Sequence, residues 1–121
     1  MSHPIVHVEL ASESPSELAQ FYQQIFNWKL QEYPEMNYTT FSPGDGSLGG
    51  GINEVRDEIP KGTVVFYIQT DDIGASLEQI QQSGGEVVWQ PMEIPGVGKI
   101  AQFRDPSGNR VGLLQPAEGT M

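Results

Sequence analysis

The chain repeats itself. Residues 5–10, IVHVEL, alternate in the manner of a strand with one face in the core: Val6, Val8 and Leu10 on one side, Ile5, His7 and Glu9 on the other. Ser14-Pro15-Ser16-Glu17 follows as a helix start, with Ser14 as N-cap, Pro15 at the first helical position and Glu17 completing a capping box. Leu18, Phe21, Tyr22 and Ile25 then fall on one helical face, Asn27 ends the helix, and Trp28 opens another extended segment. Residues 64–88 carry the same plan. His7 and Val65, Ser14 and Asp72, and Trp28 and Glu86 each stand 58 residues apart. In this second copy Val64, Phe66 and Ile68 form the apolar set of the strand, and Val65, Tyr67 and Gln69 the other face. Asp72 is the N-cap, Ile73, Leu77 and Ile80 the helical stripe, and Gly84-Gly85 the stop.

The repeat extends to the ends of both copies. Residues 38–53 are strand, Pro-Gly-Asp-Gly turn and strand, and residues 100–115 follow the same pattern through Asp105-Pro106-Ser107-Gly108-Asn109. Phe41 and Phe103, like Gly50 and Gly112, are 62 apart, so one loop differs by four residues. Each half is strand, helix and three strands. One such half cannot bury its sheet alone, so the two belong to one domain, residues 1–121. The first module is 1–53, the second 64–116. Residues 54–63 lack apolar periodicity and read as the connector.

Composition narrows the function classes. The chain has no cysteine, which removes disulfide scaffolds, thiolate metal sites and cysteine nucleophiles. Its formal net charge of −10 argues against nucleic-acid binding, which needs cations to displace phosphate counterions. No apolar run reaches membrane-spanning length, and MSHPIVHVEL lacks the features of a signal peptide, so no membrane partner and a cytoplasmic location are expected. Gly49-Gly50-Gly51 precedes no helix and fails the context of a phosphate loop.

His7 in PIVHVEL, the FYQQIFNW helix end, the TDDI helix start and FRDPSGNRVGLLQ, in this order and with the repeat, resemble the vicinal oxygen chelate superfamily of glyoxalase I, bleomycin-resistance proteins and extradiol dioxygenases. The HxE of the first strand and IPGVG before the DPxGN turn are similar to a branch of short glyoxalase-like proteins, mostly without an assigned reaction. The resemblance implies an α+β fold of two tandem βαβββ modules whose curled mixed sheets form a cup. It implies four metal-ligand positions. The first is His7. The second falls near Gly50, to within one residue, the third on Val65 and the fourth on Gly112. Only His7 keeps a ligand there, so a metal-ligand-depleted member is expected. No cofactor is expected, although a weakly held divalent ion at His7 and Glu9 stays open. His3, near the N-terminus, is set aside as a ligand.

By strand parity the face of His7 carries Ile5, His7, Glu9, Val65, Tyr67, Gln69, Arg110, Gly112 and Leu114. Apolar surface with a few polar groups is what a small-molecule site looks like. His7 is either a general base or hydrogen-bond donor oriented by Glu9, or a remnant satisfied by Glu9 and water. Arg110 is either a rim contact for an anionic ligand or a solvent-facing residue beside the turn. Phe21, Tyr22 and Phe26 are expected in the core. Trp28 and Trp89 belong to pocket or interface without a sequence basis for choosing.

Three functions compete: a metal-independent protein binding a small organic molecule, with turnover unassigned; a divalent-metal-dependent lyase or isomerase of the glyoxalase I type; and a non-catalytic scaffold or partner-binding module. The first is the expectation. Sheet edges need cover and the resemblance implies two-fold pairing, so a homodimer is expected.

Overall fold

The computed structural model describes residues 2–118. Two compact units divide the chain, Val6–Val65 and Met1–Ile5 with Phe66–Met121. The first builds β1 (Ile5–Ser12), α1 (Pro15–Phe26), β2 (Lys29–Tyr33), β3 (Tyr38–Ser42) and β4 (Gly50–Glu54). The second builds β5 (Val64–Gln69), α2 (Ile73–Gln82), β6 (Glu86–Ile94), β7 (Gly98–Arg104) and β8 (Arg110–Pro116). Each half is therefore βαβββ, as the repeat predicts, and the class is α+β, as the resemblance implies.

Both halves solve the same pairing problem in the same way. The order is β2-β3-β4-β1 in one and β5-β8-β7-β6 in the other. The three later strands form an antiparallel meander, and the last of them runs parallel to the strand that opened the half. The helix supplies the crossover length that a parallel pair requires. It covers one face of its sheet and leaves the other to the functional residues.

The helix ends are decided by local chemistry. Asp72 caps α2 by accepting from the Ala75 N–H at 3.0 Å. Asn27 ends α1 in the left-handed conformation at φ 61°, donating its N–H to the Gln23 carbonyl at 2.9 Å. At the start of α1 the capping box does not form. Helix α1 does begin after Ser14, but the Ser14 side chain makes no cap bond. Instead the Ser14 N–H donates to Ser12 Oγ at 2.9 Å, so the hydroxyl that organises this turn lies two residues earlier.

The core of the second half follows the predicted stripe. Ile73 and Leu77 pack with Ala101, Phe103, Val111 and Leu113, and Ile80, Val87 and Ile68 close the edges. In the first half the stripe is displaced. Pro15 and Ala19 are the buried residues of α1, and Ala19, Phe41 and Ile52 form the core with Leu10, Leu18, Trp28 and Leu30 against it. Phe21 and Phe26, expected inside, are 50% and 57% exposed, and Ile25 is 55% exposed. The small Ala19 marks the line of closest approach to the sheet, and rotating the helix onto it turns Phe21 and Ile25 outward. Tyr22 stays at the edge of the core. Its ring stacks on Trp28 at 4.8 Å, and Trp28 stacks on Phe41 at 4.7 Å. Trp28 is thus a core residue on the helix side.

Two further expectations change. Val64 and Phe66 are exposed, while Val65 and Tyr67 are buried. Helix α2 packs on β6, β7 and β8, and of the predicted apolar set of β5 it is Ile68 that joins the core. The segment 54–63 also has structure, since Arg56 and Ile59 bridge to each other and Ile59 is buried. A lone apolar residue carries no periodicity, so the sequence is silent about it.

Candidate functional site

Strand alternation sets the site. In the first half Phe41 and Ile52 point to the helix, so Tyr38, Gly51 and Asn53 take the opposite face with His7 and Glu9. The register pairs Glu9 with Gly51. Tyr38 and Asn53 converge on Glu9: the Tyr38 hydroxyl donates to Oε2 at 3.1 Å and Asn53 Nδ2 donates to Oε1 at 3.0 Å. His7 Nε2 lies 3.1 Å from the Tyr38 oxygen and 3.5 Å from Glu9 Oε2.

This arrangement assigns a proton. A phenol has one hydrogen, and that of Tyr38 is directed at Glu9. The contact between His7 and Tyr38 is then an Nε2–H donating to the phenol oxygen. With Glu9 ionised, the tautomer that satisfies these contacts carries its proton on Nε2.

The second half repeats the geometry with different chemistry. The register pairs Tyr67 with Gly112 and Gln102 with Gly112. Gln102 Nε2 donates to the Tyr67 oxygen at 2.9 Å, and Arg110 Nη1 donates to Gln102 Oε1 at 3.0 Å. Gln69 and Leu114 pair one step further along the same strands. Trp89 pairs with Gln102, which puts it on the face opposite α2. His3, set aside as a ligand, bonds through Nδ1 to the Gln69 carbonyl at 3.0 Å.

The pairing also refines the repeat. Glu9 faces Gly51 as Tyr67 faces Gly112, so the counterpart of Gly112 is Gly51, one residue beyond Gly50. Gly50 points to the helix side, where a Cβ would strike the Val8 carbonyl and the Phe41 ring. Gly51 and Gly112 share a second property. A Cβ on Gly51 would run into the Tyr38 phenol, and a Cβ on Gly112 would run into the Tyr67 ring. In both halves a tyrosine lies over the glycine where the resemblance places a metal ligand.

These residues do not fit a resident divalent ion. Gly51, Val65 and Gly112 offer no side-chain donor. Among the described residues no group of three or more histidine, cysteine, aspartate or glutamate side chains comes together. At His7 and Glu9, a metal would have to displace the Nε2 proton and the hydrogen bonds from Tyr38 and Asn53, for only two ligands in return.

Tyr38, Asn53 and Gln102 are the residues that sequence parity overlooked. Their signal is a polar side chain on the strand face opposite a buried neighbour: Tyr38 beside Thr39, Asn53 beside Ile52, Gln102 between Ala101 and Phe103.

Comparison with known proteins agrees with this fold. The family model of the Glyoxalase/Bleomycin resistance protein/Dioxygenase superfamily matches residues 4–113, and the chain belongs to that superfamily. A glyoxylase-like domain-containing protein of Didymella fabae is 31% identical, covering 84% of this chain and 85% of its own. The anthracycline biosynthesis protein DnrV of Streptomyces peucetius is 29% identical over 93% of this chain, which spans about half of DnrV (48%). The crystal structure of hypothetical protein BH1468 from Bacillus halodurans has the same fold, with a TM-score of 0.73 at 14% identity over 100% of this chain and 99% of that one.

Proposed function

We propose that this chain binds a small organic molecule on the sheet faces opposite its helices, and does so without a resident metal ion. The observation that carries this reading is the pair of tyrosines over Gly51 and Gly112, each tied into a polar network: Tyr38 with His7, Glu9 and Asn53, and Tyr67 with Gln102 and Arg110. Oriented hydrogen-bonding groups on a partly apolar face are suited to fixing a ligand's position. DnrV's name, which places it in anthracycline biosynthesis, accords with a small-molecule role. No reaction is assigned, because one fold in this superfamily serves different chemistries. A metal-dependent reaction of the glyoxalase I type is disfavoured by the missing donors. Elemental analysis after incubation with zinc, nickel and manganese should give far less than one ion per chain. Near-stoichiometric metal, lost in His7→Ala, would overturn the reading.

We further propose that the protein is cytoplasmic and homodimeric. No helix among the described residues is long and apolar enough to cross a membrane. Phe21, Ile25 and Phe26 on α1 are apolar side chains of the kind two-fold pairing covers. Light scattering at micromolar concentration should give twice the chain mass of 13.3 kDa, and a clean monomer mass removes the dimer.

A further inference from the structure

The chain carries 6 cationic side chains against 16 acidic ones, yet two of the six stand directly opposite each other. Arg104 of β7 pairs in register with Arg110 of β8, on the face opposite α2. Like charges in this position destabilise a strand pair unless something offsets them. Arg104 has Glu86, at 3.9 Å and largely in solvent. Arg110 has no carboxylate at ion-pair distance among the described residues.

The acid closest in sequence is committed elsewhere. Asp105 Oδ2 accepts from Asn109 Nδ2 at 2.9 Å, and Oδ1 accepts from the N–H groups of Asn109 at 2.9 Å and Ser107 at 3.0 Å. These bonds, that of the Asn109 side chain foremost, hold the Asp105 carboxyl below its ordinary range. Asp105 serves the turn rather than the arginine.

What does hold Arg110 is neutral and deeply buried. Gln102 is 1% exposed, and its amide oxygen takes the Arg110 Nη1 hydrogen while its nitrogen is fixed on Tyr67, itself 3% exposed. The guanidinium is therefore oriented by a rigid chain of side chains that supplies no negative charge. A guanidinium has five N–H donors in a planar fork matched to an oxyanion, and a half-buried cation without a counter-charge is costly.

We propose that Arg110 anchors an oxyanion on the small molecule this protein binds. The inference rests on the small-molecule reading. Gln102 and Tyr67 are positioning residues for the guanidinium.

A matched pair of fluorescent probes tests it: 8-anilinonaphthalene-1-sulfonate, and N-phenyl-1-naphthylamine, which has the same aromatic skeleton and no charge. The wild-type protein should bind the sulfonate about tenfold more tightly than the neutral probe, as a charge-assisted contact predicts. Arg110→Met should abolish that preference. Arg110→Lys, which retains the charge without the fork, should keep part of it. The Arg110→Met melting curve checks that the variant is folded, and Arg110→Lys decides the matter if it is not. Equal affinity for the two probes, or a preference that survives Arg110→Met, overturns the oxyanion site and leaves the small-molecule reading standing. Failure of both probes to bind the wild-type protein overturns both.

Discussion

Trp28→Ala is expected to destabilise the protein by about 3 kcal/mol, near the lower end for removing a core aromatic because the residue is only partly buried. The indole stands between two rings, 4.8 Å from Tyr22 at an interplanar angle of 7° and 4.7 Å from Phe41 at 23°. Phe41 in turn packs with Ala19 and Ile52, the buried centre of this half. Truncation would remove the stack and leave Phe41 facing a void that the rigid β2–β3 pair cannot close. Trp28→Phe should recover much of the loss, since a smaller ring can still stack. Urea unfolding followed by circular dichroism reads both values. A cost below about 1 kcal/mol for Trp28→Ala, the scale of an ordinary substitution, would show that the stack does not support this core.

Gly112→Glu puts a carboxylate at the position where the resemblance expects a metal ligand, and it should cost about 3 kcal/mol or more. The added Cβ would run into the Tyr67 ring, and residue 112 is buried. Tyr67→Ala alone should also be costly, because it empties the space over Gly112 and removes the acceptor of Gln102 Nε2. The informative quantity is the coupling. If the ring and the new side chain compete for one space, the double variant should be more stable than the two losses together predict, by about 1–3 kcal/mol. Strict additivity in denaturation midpoints would mean that Tyr67 does not occupy the space above residue 112.

Together the two experiments probe the opposite faces of the sheets. Trp28 tests the face that the helix covers, where apolar packing dominates. Gly112 tests the other face, where tyrosine has taken the space that a ligating side chain would need.

The amino-acid sequence by itself determined the repeat, the βαβββ order of each half, the helix boundaries and the family. Those features are local or periodic. Asp72 caps its own helix, Asn27 adopts the left-handed conformation at its own position, and alternation along a strand assigns Glu9 and Tyr67 to one face whatever lies beyond. The glycines were legible for the same reason, as strand positions without a side chain.

Tertiary structure decided everything that depends on which neighbour arrives. The periodicity of α1 allowed Phe21 and Ile25 in the core, but the close approach at Ala19 rotated them out. At the start of α1, Ser12 Oγ takes the Ser14 N–H that Glu17 would accept in a capping box. The networks around His7 and Arg110 depend on Tyr38, Asn53 and Gln102, and the bonds of Tyr38 and Asn53 to His7 and Glu9 span 29 to 44 residues along the chain. A one-residue shift in register exchanges Gly50, packed against Phe41, for Gly51, packed against Tyr38. Sequence spacing cannot resolve that step, because the period of a strand is two and a slip of one residue turns every side chain to the other face.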